Sequence, residues 1–224
     1  MATIKELIPQ GLFTEIGEHL LEKSREAETG WPDGAADEDT LTGDFFGYLR
    51  MKETDWRSGN DRWKWNSRYE KFSGRGKGAY EKHRGADLIF QIEITDQGSN
   101  AAFRKGMLIQ AKKGGWSRGS GIRNQAQQME ALGSGGSCMV LYSASGYKAI
   151  SSVDFLDNDL VGIRRKETDV GSFFVDRFLE CEVGKEGLFV EGGRLNFLAA
   201  NGVKKQEKIT SPFETLTIEI NHIL

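Results

Sequence analysis

Apolar residues at Leu7, Leu12, Ile16, Leu20 and Leu21 recur close to helical spacing and predict a helix over residues 4–23. A polar, glycine-containing stretch over 26–37 reads as a loop. Helical spacing resumes over 37–50 through Leu41, Phe45, Phe46 and Leu49. Residues 52–85 break this pattern: Trp56, Trp63, Trp65, Tyr69 and Phe72 stand among arginines and lysines, and Gly74, Gly76 and Gly78 mark a turn-forming piece. From 86 to 95 the chain alternates as a strand, a turn follows at 96–100, and 107–112 is a second strand, so the two predict a hairpin. A Gly/Ser-rich loop at 114–121 leads into a helix over 122–132, 138–143 is a short buried strand, and 148–155 extends the sheet. Residues 173–181 read as helical, and 188–190 and 216–220 are strand-like runs between glycine turns. The order helix, helix, strand, strand, helix, strand predicts an α/β fold with a mixed central β-sheet flanked by helices.

A chain of 224 residues with 38% hydrophobic residues and three prolines suits a single domain with a substantial core. Its expected division is a core at about 37–155, a basic aromatic insertion at about 52–85 and a C-terminal elaboration over 156–224. No run approaches the ~20 apolar residues of a membrane span. The N-terminus lacks the basic, apolar and small-residue pattern of a secretory signal, so a cytoplasmic location is expected. Cys138 and Cys181 sit in apolar surroundings far apart in sequence and read as free thiols in a reducing compartment. With only His19, His83 and His222, no zinc-site spacing is present.

Charge changes the picture through its distribution. The net charge is −3, yet residues 50–125 hold 17 Lys and Arg against 8 Asp and Glu, a balance of +9 that leaves −12 for the rest. Such asymmetry favours a local basic surface facing a polyanion.

Strand alternation puts Gln110 and Lys112 on one face, opposite a core face of Met107, Ile109 and Ala111. Asp87 opens the preceding strand, whose apolar face is Leu88, Phe90, Ile92 and Ile94. A carboxylate at a strand's start and a ligand-x-lysine pair on its neighbour can meet at one metal-sized point. Asp87 offers the anionic oxygen that Mg²⁺ or Mn²⁺ prefers, and Gln110 a neutral carbonyl oxygen. Lys112 can orient an attacking water and stabilise charge on a phosphate.

Gly85–Ala86–Asp87 followed by Leu108–Ile109–Gln110–Ala111–Lys112 resembles the PD-(D/E)XK nuclease superfamily, and the Gln-Ala-Lys form is similar to its Mrr-like branch. The resemblance covers roughly residues 37–143. It implies a restriction-endonuclease-like core, Mg²⁺- or Mn²⁺-dependent hydrolysis of DNA phosphodiesters, and a role in restriction or antiviral defence. Two departures stand out: Ala86 replaces the proline, and Gln110 replaces the acidic residue, which removes one negative charge from the metal site.

Another carboxylate is therefore needed, and Glu38 is the first candidate. At ~100° per helical residue, Leu41, Phe45 and Leu49 fall about 300°, 340° and 20° from it, so it points along the apolar face. The resemblance also implies a glutamate from the first core helix. Acidic residues near a helix N-terminus also have a dipole rationale. Glu81, in the glycine-rich approach to Asp87, is the second candidate, and Glu93 is expected to lie ~20 Å along the strand, too distant. Gln125 shares its helix's apolar face with Ile122, Met129 and Leu132, where its amide can orient Lys112 or a water, or satisfy backbone groups. Lys113 alternates to the other face, facing solvent or phosphate.

The aromatic and basic segment can stack on bases while Arg62, Lys64, Arg68, Arg75 and Lys77 contact phosphates. The competing reading is an aromatic satellite core with a solvated face. The glycine-rich piece lacks the P-loop pattern. Double-stranded DNA is the expected partner, with homodimerisation for duplex cleavage. The alternatives are a nuclease-fold protein that binds nucleic acid with weak or no cleavage, a subunit of a larger defence complex with a partner protein, and an RNA-directed enzyme.

Overall fold

The computed structural model describes residues 3–30, 37–72, 85–97, 101–117, 119–199, 202–209 and 213–223. Pro9 divides the N-terminal helix: α1 (Ile4–Leu7) ends at Ile8, and α2 (Gln10–Thr29) begins with Pro9 as its N-cap. Proline's fixed φ and missing N–H suit that position and not a helix interior. α2 runs past the expected end at 23 because Ser24 and Ala27 remain buried. α3 (Glu38–Tyr48) starts where expected, with Asp37 accepting from the Thr40 N–H at 2.7 Å.

Residues 51–72, set apart in sequence as an insertion, are two strands of the main sheet. β1 (Met51–Ser58) and β2 (Asp61–Phe72) pair antiparallel. The rings of Trp63 and Trp65 are 7% and 1% exposed, which removes them from base stacking and makes them core. Trp65 donates its indole N–H to Glu15 at 2.9 Å, and Trp63 stacks on His222 with ring centroids 4.5 Å apart.

β3 (Leu88–Asp96) and β4 (Ala101–Lys113) form the expected hairpin. α4 (Ser120–Leu132) then returns the chain so that β5 (Ser137–Ser143) runs parallel to β4. β6 (Gly146–Ser151) stops short of the predicted 155 because the Ser151 side chain caps α5 (Ser152–Asp157). α6 (Leu160–Lys166) and β7 (Thr168–Asp169) follow, then α7 (Val170–Phe173), continued by a π-helical turn over Phe174–Leu179. β8 (Lys185–Glu186) pairs with β4, and β9 (Phe189–Glu191), β10 (Arg194–Leu198) and β11 (Lys204–Lys208) make a separate three-stranded sheet.

The C-terminal strand β12 (Phe213–Ile223) lies between β2 and β3, antiparallel to the first and parallel to the second. The order β1-β2-β12-β3-β4-β5-β6-β7, with β8 beside β4, gives a mixed nine-stranded sheet. The end of the segment expected to be an elaboration, β12, thus lies in the sheet's interior. Helices flank both faces. One face carries Leu12, Ile16, Leu41, Phe45, Phe174 and Phe178 against Phe90, Ile109 and Leu216. The other carries Met129, Leu132, Phe155 and Leu195 against Ile89, Leu108 and Met139. Burial on both faces explains why Gln110, set by alternation opposite the core face, is 0% exposed, as is Leu108 in the same row. Among the described residues, no helix is long and apolar enough to cross a membrane.

One core position holds a lysine. Lys105 is 3% exposed, donates to the Phe178 carbonyl and lies 4.3 Å over the Phe178 ring. Burial lowers its pKa from 10.5 to about 8. Between those two values the unfolded chain holds a proton that the folded protein has released. Stability therefore rises as pH increases through this window. Lys105→Met is expected to be the more stable protein at neutral pH, and the gap between its urea midpoint and that of the wild type is expected to narrow as pH rises through this window.

Candidate active site

Register places Asp87. Its backbone N–H donates to the Ile109 carbonyl at 2.9 Å and its carbonyl accepts from the Glu214 N–H at 3.2 Å. Ile109 is already the ladder partner of Leu88, so this bond sets Asp87 beside the same stretch of β4, just outside the regular register. Gln110 Nε2 donates to Asp87 Oδ2 at 2.6 Å, and the Ala111 N–H donates to the same oxygen at 2.8 Å. Gln110 Nε2 also reaches the Ala111 carbonyl at 3.0 Å. The other amide atom, Gln110 Oε1, is buried without a hydrogen-bond partner. The approach to Asp87 is tight: Gly85 has φ +72°, and a Cβ there would stand 2.2 Å from the Gln125 carbonyl oxygen. Only glycine lets the strand entrance pass α4 so closely.

Glu38 and Lys112 meet at the end of β4. Lys112 Nζ donates to Glu38 Oε1 at 2.9 Å, and the Lys113 N–H donates to Glu38 Oε2 at 3.0 Å. Glu38 is the first residue of α3, so its half-buried carboxylate extends past the apolar stripe and caps the strand end. The four predicted residues Glu38, Asp87, Gln110 and Lys112 therefore converge on one stretch, 110–113. Asp87 binds its first half and Glu38 its second.

The other predicted positions are spread more widely. Gln125 is half-buried on α4, whose buried residues are Ala126, Met129 and Leu132, and its backbone lies against Gly85, two residues before Asp87. Glu93 sits six residues along β3 from Asp87 and accepts from Arg104 Nε at 2.9 Å. Arg62 pairs with Asp55 at 3.0 Å, Lys64 with Glu53 at 2.5 Å, and Arg68 with Glu219. The basic row of β2 is thus matched by carboxylates on its two neighbours, a pairing that local charge counting could not reveal. Lys113 is exposed. Glu81, Arg75 and Lys77 lie outside the described residues. A hollow of about 470 Å³ lined by Ala102, Arg104, Phe189 and Phe197 sits at the opposite end of β4 from Lys112 and is separate from this site.

Glu214 and Tyr142 escaped the sequence reading, and Tyr69 entered it only as part of the aromatic segment. Glu214, next to Asp87 on β12, is 7% exposed, and its Oε1 pairs with Lys71 Nζ at 2.6 Å. Tyr69 lies beside it. Burial first, and the Glu214 carboxylate second, push the Tyr69 hydroxyl well above the usual phenol range. Tyr142 on β5 is fully buried and its pKa is raised chiefly by that burial. The one available signal was the strand-like run at 216–220, which has no local partner to reveal its place in the sheet.

The donors around Asp87 are all oxygen: its carboxylate, the unpartnered Gln110 Oε1 and the Ala111 carbonyl. That chemistry fits a hard cation such as Mg²⁺ or Mn²⁺. No group of three His, Cys, Asp or Glu able to hold a metal occurs among the described residues. Magnesium does not require one, because it keeps several waters and takes one or two protein carboxylates. No family model, curated protein or solved structure matches this chain.

Proposed function

We propose that this protein is a Mg²⁺- or Mn²⁺-dependent endonuclease with a restriction-endonuclease-like core, hydrolysing DNA phosphodiester bonds in restriction or antiviral defence. The observation that carries the reading is the convergence of Asp87, Gln110, Lys112 and Glu38 on one strand end. The sequence resemblance of Gly85–Ala86–Asp87 and Gln110–Ala111–Lys112 to the PD-(D/E)XK superfamily supports it independently of position in space.

Asp87 and Gln110 are the residues that would hold the cation, with Glu38 at its margin. When bound, the cation lowers the pKa of its water and polarises the phosphate. Lys112 carries the remaining electrostatic work. Its ammonium, steadied by Glu38, stands at the strand end to stabilise the charge that gathers on the non-bridging oxygens as water oxygen bonds to phosphorus and the ester P–O bond breaks. Surface pairs such as Arg62–Asp55 and Lys64–Glu53 contribute little to stability, so DNA phosphates can replace their carboxylates.

Supercoiled, linear and single-stranded DNA, and RNA, incubated with Mg²⁺, Mn²⁺ or EDTA, test this. Nicking is expected with either metal and none with EDTA. Lys112→Ala is expected to slow nicking about 10²-fold or more, the scale of losing one positioned charge. Cleavage undiminished by EDTA, or full activity in Lys112→Ala, rules the proposal out.

A second reading draws on the same geometry. Gln110 turns its amide donors toward Asp87, and Lys112 is matched by Glu38, an arrangement that also suits a protein that binds nucleic acid without cutting it. DNA retention on a filter with no calorimetric Mg²⁺ uptake and no nicking would establish that alternative.

A further inference from the structure

Glu214 occupies an unusual position for a residue whose only described ion pair is with a half-exposed lysine. Its side chain is 9% exposed, and while Oε1 takes the Lys71 ammonium, Oε2 is buried and has no hydrogen-bond partner. A buried carboxylate oxygen without a donor is costly, and such groups seldom persist without a role. It is not the only such atom here. The Oε1 of Gln110 is likewise buried without a hydrogen-bond partner. The charge of Glu214 bears on the phenols of Tyr69 and Tyr142, and that of Asp87 bears on Tyr142 as well. α3 closes over the same region: a Cβ on Gly43 would stand 3.6 Å from the Tyr69 hydroxyl.

The placement follows from register. Glu214 lies across from Leu88 on one side and Lys71 on the other, so it stands at the same end of the sheet as Asp87, one strand further from β4. Its backbone N–H donates to the Asp87 carbonyl. Two carboxylates on adjacent strands thus share one sheet end with the neutral Gln110. The ion pair with Lys71 accounts for one oxygen of Glu214; the Tyr69 hydroxyl lies against the same carboxylate, yet no donor meets Oε2 in hydrogen-bond geometry.

We propose that Glu214 is a further member of this site, supplying the second negative charge of the divalent-cation centre that Gln110 lacks, with Oε2 as the acceptor offered to the ion or its waters. This rests on the metal-dependent reading above. The rival account, in which Glu214 only neutralises Lys71, makes a different prediction for the lysine. If that account holds, Lys71→Met and Glu214→Gln disturb stability alone and leave cation affinity where it was.

Calorimetric titration of Mn²⁺ into the full-length wild type, Asp87→Ala, Glu214→Gln and Lys71→Met, each with a thermal melt, separates the two. Glu214→Gln is expected to weaken Mn²⁺ binding at least ~10-fold, the scale of losing a liganding or ligand-supporting group. Lys71→Met is expected to bind as tightly as the wild type or more so. Should Glu214→Gln fail to fold, the Lys71→Met/Glu214→Gln double variant, which removes both charges of the pair, is measured in its place with the same expectation. Wild-type affinity in Glu214→Gln together with weakened binding in Asp87→Ala overturns the role of Glu214 and leaves the nuclease reading standing. A wild type that takes up no Mn²⁺ overturns both.

Discussion

Asp87→Ala is expected to lower metal-dependent nicking by about 10³-fold or more while the protein stays folded. Asp87 is the carboxylate that accepts from both the Gln110 amide and the Ala111 N–H, and it offers the anionic oxygen of the cation centre. Removing it takes away the one anionic oxygen in direct contact with Gln110, which a hard cation prefers. The structural cost is bounded. The Ala111 N–H and the Gln110 amide lose a shared acceptor, which is worth about 1–3 kcal/mol where water cannot fully replace it. A domain with the usual stability of about 5–15 kcal/mol survives that loss. Plasmid nicking assayed beside a circular-dichroism melt checks both halves. A folded Asp87→Ala protein that nicks within about tenfold of the wild type would place the chemistry elsewhere.

Gly85→Ala is expected to be the most damaging single-methyl change near the site. Gly85 combines φ +72° with a Cβ position 2.2 Å from the Gln125 carbonyl oxygen and 2.7 Å from the Gln125 carbonyl carbon and Cα. All three contacts are to helix backbone, which cannot swing aside as a side chain can. Backbone strain of about 1–3 kcal/mol adds to an overpacking cost of similar size. For a chain of this length that corresponds to a fall in melting temperature of roughly 5–20 °C. Because α4 and the strand entrance are pushed apart two residues before Asp87, nicking is expected to be lost even well below the melting transition. Gly59→Ala is the control: φ is +60° there but nothing lies within 4 Å of the new methyl, so only the local strain of about 1–2 kcal/mol applies. Equal melting temperatures for the two variants would show that the close approach to Gln125 is not rigid.

The parts of the site that were legible in sequence are those written locally. Gln110, Ala111 and Lys112 are consecutive, Asp87 opens the strand that pairs with theirs, and a hairpin with a short turn ties the two by register. Glu38 was found from its position at the head of an apolar-striped helix, although the structure puts its carboxylate on Lys112 and the Lys113 N–H instead of along the stripe. The base-stacking reading of Trp63 and Trp65 failed for a different reason. Alternation of aromatic and charged residues describes a strand with one buried face, and which face meets the core depends on neighbours that are distant in sequence.

By itself the sequence determined the α/β class, the two-helix start of the described chain, the β3–β4 hairpin and the pairing of Asp87 with the Gln110–Lys112 segment. These follow from periods of 3.6 and 2 and from short loops, interactions within a few tens of residues. Only the tertiary structure decided that β12 enters the middle of the sheet. With it came the burial of Glu214 beside Asp87, the matching of Arg68 and Lys71 with carboxylates of β12, and the coverage of both sheet faces. Pairing across more than a hundred residues depends on which buried surfaces and ladder partners remain when the whole chain collapses, and no local pattern encodes that choice.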